Sequence, residues 1–243
     1  MHNLTQRQIE ILKSIIEEYI ETAEPVGSET IEKKHNLSAS PATIRNEMVK
    51  LSEMGYIKKT HSSAGRVPTP KGIMFYVKEL MKEKQLSVVE EVALKERVWD
   101  YREQTHRFLK EIVKSLADKT HALAIATTAD GVIYCAGYAN ILDMPEFYEI
   151  DIARRLLVMI DEYDYFRGIC EHITDEEDIH VLMGDELGAR LNGPYSFVFT
   201  RYKTPLNVAG EIGVLGPVRL RYQSVIPTVR YFGDLIETVA SGW

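Results

Sequence analysis

Thr43, Arg45, Asn46 and Lys50 carry short polar or basic groups at the spacing of one outward helix face, and they suit hydrogen bonding and charge neutralisation rather than bond breaking. Guanidinium and carboxamide groups pair with base edges in a groove, and ammonium groups neutralise phosphates. Lys58, Lys59, His61, Ser62, Ser63 and Arg66 follow closely as a second basic and polar group. From Ser40 to Gly72 the chain holds six Lys and Arg against two Glu, in a protein of 243 residues with a formal charge of -7. A polyanion is the partner that such a stretch fits. Catalytic signatures are missing: there is no GxSxG, no HExxH, no glycine-rich loop ending in Lys-Ser/Thr, and no GxGxxG after a strand. Cys170, His172 and His180 in "CEHITDEEDIH" do not follow a zinc spacing, and the acidic stretch between the two histidines is expected as a solvated loop. Gly210, Gly213 and Gly216 in "GEIGVLGP" suit close strand packing better than phosphate binding, and Arg219 and Arg221 suit pairing with nearby carboxylates. The two cysteines, Cys135 and Cys170, form no CxxC and are expected as buried hydrophobes. No enzyme activity, cofactor or metal is expected.

The elements that must position the basic groups are legible in order. Thr5 and Gln8 form a capping box for a first helix whose Ile9, Leu12, Ile15, Ile16, Tyr19 and Ile20 recur at helical spacing. Ser28 caps a short helix over 29–35 with Ile31 inward. Ser40 caps a third helix with Pro41 at its first position, Ile44, Met48 and Leu51 inward, and Ala42, Thr43, Arg45, Asn46, Val49 and Lys50 outward, stopped by Gly55. "YIKKT" and "RVP" around "HSSAG" form a hairpin, and Thr69 with Pro70 starts a fourth helix that offers Phe75, Tyr76 and Leu80 for packing. Three helices and a hairpin make a winged helix-turn-helix. Such a module places its third helix in the major groove, Ser40 and the first amides near phosphate, and the hairpin on phosphate or in the adjacent minor groove. Glu47, on the same helix, is expected to flank the interface. The same fold also serves as a protein–protein module; the coincidence of a polar helix face with a basic hairpin favours double-stranded DNA.

Charge follows this division. Residues 1–86 carry 13 Lys and Arg against 11 Glu and no Asp, whereas the remainder carries 16 against 25 acidic residues. The first 39 residues are net -3 and residues 40–86 net +5, so one face of the module is basic. The N-terminus is polar without an apolar signal region, and no later run reaches 18 apolar residues; a cytoplasmic protein with no membrane span is expected.

Leu86 to Ala117 lacks Gly and Pro and suits one long helix or two. A heptad seam through Val92, Trp99, His106 and Val113 puts Lys95 and Arg102 at companion positions, so packing on the C-terminal domain is favoured over a zipper. Beyond it, "ALAIATT" and "VIYCAGY" flank a turn; Asp143 with Glu146 is expected to cap a helix through Ile150, Ala153, Leu157 and Ile160; "IHVLM", "SFVFTRY" and "NVAGEIGVL" follow as strands. A last helix repeats Val225, Val229, Phe232, Ile236 and Val239, with Pro227 expected in its first turn after a cap near Ser224. The order predicts an α+β fold: a winged helix-turn-helix at 1–84, a helical linker at 85–118, and an antiparallel sheet with helices at 119–243.

Residues 4–31 and the stretch from "LSASPATIRN" to "KGIMFYVKELM", with its EPVGS, SPATIRN, HSSAGR and PTPKGIMFYV runs, resemble the DNA-binding domain of the heat-inducible transcription repressor HrcA family. "AGYANILDMPEF" and "GEIGVLGPVRLRY" are similar to later segments of the same family. The resemblance implies a repressor of chaperone genes that binds an inverted-repeat operator as a homodimer, with chaperonin help in maintaining its active form, and a GAF-like C-terminal domain. It also implies an inserted dimerisation domain between the linker helix and the Pro-Glu-Phe segment, which this chain crosses in under 30 residues. Three rivals stand beside this reading: a regulator gated by a small effector in the GAF-like domain, a module binding protein rather than DNA, and a metalloenzyme using His172 or His180.

Overall fold

The computed structural model describes residues 4–35, 37, 39–60, 65–99, 105–160, 162–173, 177–188, 193–204 and 208–240. The chain divides into two compact units, 1–82 and 83–243.

In the first unit the Thr5–Gln8 capping box forms as its residue types dictate. The Gln8 amide donates to Thr5 Oγ1 at 3.3 Å and the Thr5 amide to Gln8 Oε1 at 2.9 Å, opening helix α1, Gln6–Thr22. Ile11, Leu12, Ile15, Ile16 and Ile20 are buried; Ile11, passed over by the periodic reading, is fully inside, and Ile9 and Tyr19 are half-buried. Helix α2, Ser28–His35, starts one residue earlier than expected, and Ile31 is its core anchor. Helix α3, Pro41–Glu53, buries Ile44, Met48 and Leu51. Gly55, in the left-handed region at φ 78°, ends it. Strands β1 (Ile57–Lys59) and β2 (Arg66–Pro68) pair antiparallel, with Lys59 opposite Arg66. Val26 bridges Arg66 through two 2.9 Å backbone hydrogen bonds, which ties the hairpin to the α1–α2 connection. Thr69 caps helix α4, Pro70–Phe75, by accepting the Gly72 amide at 3.2 Å, and a π-helical turn continues it from Tyr76 to Leu80.

The second unit begins with two helices, α5 (Val88–Trp99) and α6 (Thr105–Thr120), rather than one connector. Arg97 holds Glu111 at 2.9 Å and Asp118 at 2.8 Å, and Lys119 pairs with Glu90, fastening α5 to α6. The four-member heptad seam does not exist as one face: Val113 is buried, whereas Val92, Trp99 and His106 are exposed. Arg102 lies outside the described residues.

Five antiparallel strands follow in the spatial order β4-β3-β7-β6-β5, where β3 is Leu123–Thr127, β4 Ile133–Ala136, β5 His180–Met183, β6 Tyr195–Lys203 and β7 Ala209–Pro217. Strand period separates the faces. Leu123, Ile125, Phe197, Phe199 and Leu215 meet Ile141 of α7 (Tyr138–Leu142), Ala153 and Leu156 of α8 (Ile150–Ile160), and Phe166 and Cys170 of α9 (Tyr163–Glu171). On the other face α6 and the terminal helix α10 (Tyr222–Ala240) cover the sheet.

Three expectations are corrected here. Asp143 ends α7 instead of capping α8, and Glu146 takes Arg219 in a two-pronged pair at 2.6 and 3.2 Å, so its carboxylate is used elsewhere. Helix α8 is rotated from the expected phase: Ala153, Leu156, Met159 and Ile160 are buried, while Ile150 and Leu157 are exposed. Pro227 lies past the first turn of α10, which starts at Tyr222. Its ring nitrogen has no proton for the Gln223 carbonyl; the Lys84 amide donates to that oxygen instead, at 2.7 Å.

Candidate nucleic-acid interface

Helix α3 owes its first turn to Ser40, whose Oγ accepts the Thr43 amide at 3.3 Å and lies 3.0 Å from Thr43 Oγ1. Pro41 occupies the first helical position, where its missing N–H costs nothing. With Ile44, Met48 and Leu51 inside, the helix leaves Arg45, Asn46 and Lys50 exposed and Thr43 half-exposed. The side chains of Arg45 and Asn46 make no hydrogen bond to another described residue, so their donors and acceptor are open to solvent. Val49, 43 % exposed, adds an apolar spot one turn from Arg45.

Glu47 is held rather than left to face outward. Gln8 Nε2 donates to its Oε2 at 2.9 Å and Lys50 Nζ to its Oε1 at 2.9 Å. These bonds, that of Lys50 the larger, keep its carboxyl below the usual carboxylate range, and Arg7 adds to the effect. Gln8 thus closes its own helix cap with its carbonyl oxygen and aims Glu47 with its amide nitrogen. Lys50 is tethered at its tip but remains exposed, so it offers part of its charge to an approaching anion. The closeness of Arg7 to Glu47 puts a further cation beside α3; in the sequence it reads as one solvent position of α1, and no local pattern marks it.

On the hairpin, the Lys58 and Lys59 side chains are exposed and hold no other described residue. Arg66 is half-buried, with Nε on Ser52 Oγ at 3.2 Å and its backbone paired to Val26. That geometry makes it the bolt between the hairpin, α3 and the α1–α2 connection, leaving only part of its guanidinium for a ligand. His61, Ser62 and Ser63, also expected on DNA, lie outside the described residues. Lys71 is occupied, donating to the Met54 carbonyl at 2.8 Å and lying 4.5 Å from the centre of the Tyr56 ring. A side chain at position 72 would sit 2.1 Å from the Tyr56 carbonyl oxygen, so glycine there allows α4 to close on the β1 entry.

Elsewhere the polar groups are absorbed by the fold. Cys170 is buried, His172 exposed at the end of α9, and His180 buried against Phe199 with ring centres 5.0 Å apart. Among the described residues no three His, Cys, Asp or Glu side chains gather as a metal site. Gly210 and Gly213 sit where a Cβ would fall 1.9 and 2.3 Å from the Thr127 and Val198 carbonyl oxygens, the close strand packing expected of them. No described helix is long and apolar enough to cross a membrane.

Comparison with known proteins adds to this geometry. The family described as HrcA protein C terminal domain matches residues 71–226, and the winged helix-turn-helix transcription repressor family, HrcA DNA-binding, matches residues 3–81. A heat-inducible transcription repressor HrcA of Desulforamulus reducens is 26% identical, covering 93% of this chain and 94% of its own. That of Acetivibrio thermocellus is also 26% identical, covering 94% of each. The first alignment extends over 326 positions; at least 83 of them, the excess over the 243 residues here, belong to the relative alone. A crystal structure described as a hypothetical protein has the same fold, with a TM-score of 0.81 at 19% identity over 99% of each chain.

Proposed function

Because the chain belongs to the HrcA family of heat-inducible transcription repressors, whose members are named as repressors and not as enzymes, we propose that it silences chaperone genes by binding an inverted-repeat operator as a homodimer. The observation that carries this reading is the exposed Arg45–Asn46 pair on a capped helix beside the exposed Lys58 and Lys59. Arg45 and Asn46 read base edges, with Thr43 beside them, and Ser40 and the first amides of α3 approach phosphate. Lys50, Lys58, Lys59 and the free part of Arg66 neutralise the backbone, joined by His61, Ser62 and Ser63 in the wing. In this reading residues 1–84 contact DNA, 85–118 link, and 119–243 form a GAF-like regulatory and dimerising domain. The protein works in the cytoplasm, and a chaperonin maintains its active form, as the family resemblance implies.

Three substitutions test the division of labour. Arg45→Ala or Asn46→Ala should cost roughly 1–3 kcal/mol on the operator and little on random duplex. Lys59→Ala should weaken binding to all sequences alike and lower the slope of log K against log salt by about one. Equal losses on operator and random DNA from Arg45→Ala would remove base reading from that residue.

A further inference from the structure

Among the described residues, helix α5 is bound to α6 by one face, and Tyr231 of α10 donates to its Glu91 carbonyl at 2.7 Å. Val98 is buried, Glu90 and Arg97 pair with α6, and a second face runs along Val88, Val92, Lys95, Glu96 and Trp99. On it Val88 is 75 %, Val92 50 % and Trp99 42 % exposed, and Val92, Lys95, Glu96 and Trp99 line an open groove of about 570 Å³. Lys95 Nζ lies 5.4 Å from the centre of the Trp99 ring. Large apolar groups standing in a row on a soluble helix mark a docking surface.

We propose that α5 of a second copy of this chain covers this face, in a parallel pair about a two-fold axis running along the helices. The inference rests on the dimeric-repressor reading and supplies the contact that reading lacks. Helical spacing decides the orientation. Val92 and Trp99 are seven residues apart, so they share the centre of the face, and Lys95 and Glu96 fall on opposite flanks of it. A two-fold axis along the helices puts the Lys95 flank of one copy against the Glu96 flank of the other, cation on anion, twice. Antiparallel pairing would put Lys95 against Lys95 and Glu96 against Glu96. A self-complementary patch is what an isologous dimer requires, and only the parallel arrangement makes this one self-complementary.

Chain connection points the same way. Residues 83–87 join α5 to the winged-helix unit, and Glu83 is held to Arg230 at 2.7 Å and Lys84 to the Gln223 carbonyl, both on α10. Parallel helices pack about 8–10 Å apart and begin at one end, so both connections to the DNA-reading units leave from that end. An inverted repeat calls for that arrangement. The three turns of α5 cover less than the roughly 800 Å² per partner of a stable dimer, so the pair is weak in free solution and completes on DNA, where two half-sites raise the effective concentration.

The full chain carries the test, with duplexes holding one or two half-sites of the family's repeat. Val92→Glu alters an exposed position, and circular dichroism and melting temperature check its fold. It should lower affinity for the two-site duplex about tenfold or more while one-site affinity stays within about twofold. Val92→Cys, treated with diamide, should form a 92–92 disulfide between copies, faster with the two-site duplex present; the wild-type chain, with Cys135 half-buried and Cys170 buried, supplies the background. Equal two-site affinity of wild type and Val92→Glu, or no cross-link above background, would overturn the pairing. A dimer lost on Ile150→Glu instead would also overturn it, moving the contact to the exposed face of α8. If wild type does not prefer the two-site duplex to scrambled DNA, the repressor reading itself fails; the cross-link at 92, read at high protein concentration without DNA, still decides the helix pair.

Discussion

Glu47 shows how one side chain can serve stability and recognition with opposite signs. Its carboxylate gathers Gln8 and Lys50 within the first unit, yet it is a negative charge on the helix proposed to enter the groove. Glu47→Gln should therefore cost stability by less than about 1 kcal/mol, as for other exposed pairs, and tighten binding to random duplex severalfold. A weaker hold on random DNA would remove Glu47 from the interface. The pH dependence has a fixed sign. The folded carboxyl titrates below its unfolded value, so its contribution is complete above about pH 5, and the stability gap between wild type and Glu47→Gln should close as pH falls below about 4. Urea titrations of the two proteins across that range measure the gap; a gap that widens on acidification contradicts the assignment. Cys170 makes a simpler case. Burial first, with the Glu211 charge adding, drives its thiol far above the usual range, against the opposing pull of Arg201. In native protein a thiol-specific reagent should leave Cys170 unmodified, and in denaturant it should modify both cysteines. Native labelling of Cys170 at the rate of a free thiol would show that α9 opens readily.

At the scale of elements, two glycines test the packing of the two units independently. Gly72→Ala brings a Cβ against the Tyr56 carbonyl, and Gly213→Ala brings one against the Val198 carbonyl. Each should destabilise its own unit by roughly 1–3 kcal/mol, seen as a fall of several degrees in the corresponding melting transition. An unchanged transition would mean that the backbone yields at that site. Those elements whose signals are local were legible in the sequence: the Thr5–Gln8 box, the Ser40–Pro41 start, the Gly55 stop, and the outward set on α3, because capping and period act within a few residues. Failures occurred where distant residues decide. Glu146 looked like a cap until Arg219, 73 positions away, claimed it. Helix α8 has apolar residues on more than one side, and only the sheet beneath selects Leu156 over Leu157. Pro227 is tolerated deep in α10 because Lys84, from the far end of the unit, satisfies the carbonyl that proline abandons. Likewise Arg66, expected only on DNA, is recruited by Ser52 and Val26 through pairings that no local pattern displays.

For the whole molecule, the uneven charge sets how it meets DNA. A chain of net -7 is repelled by a polyanion at long range, and in the proposed reading the basic residues between Ser40 and Gly72 overcome that repulsion only over a short reach. Binding should accordingly be steeply salt-dependent and selective for duplexes that engage both copies at once. The relatives carry at least 83 positions that this chain does not, so the proposed dimer has to be built from the residues that remain. The most direct measurement is fluorescence anisotropy of the purified protein with a duplex carrying the family's inverted repeat, against a scrambled duplex of equal composition, at two salt concentrations. A preference of at least about a thousandfold for the repeat, with two protomers per duplex, is the predicted result. Equal, weak and salt-sensitive binding to both duplexes would contradict it.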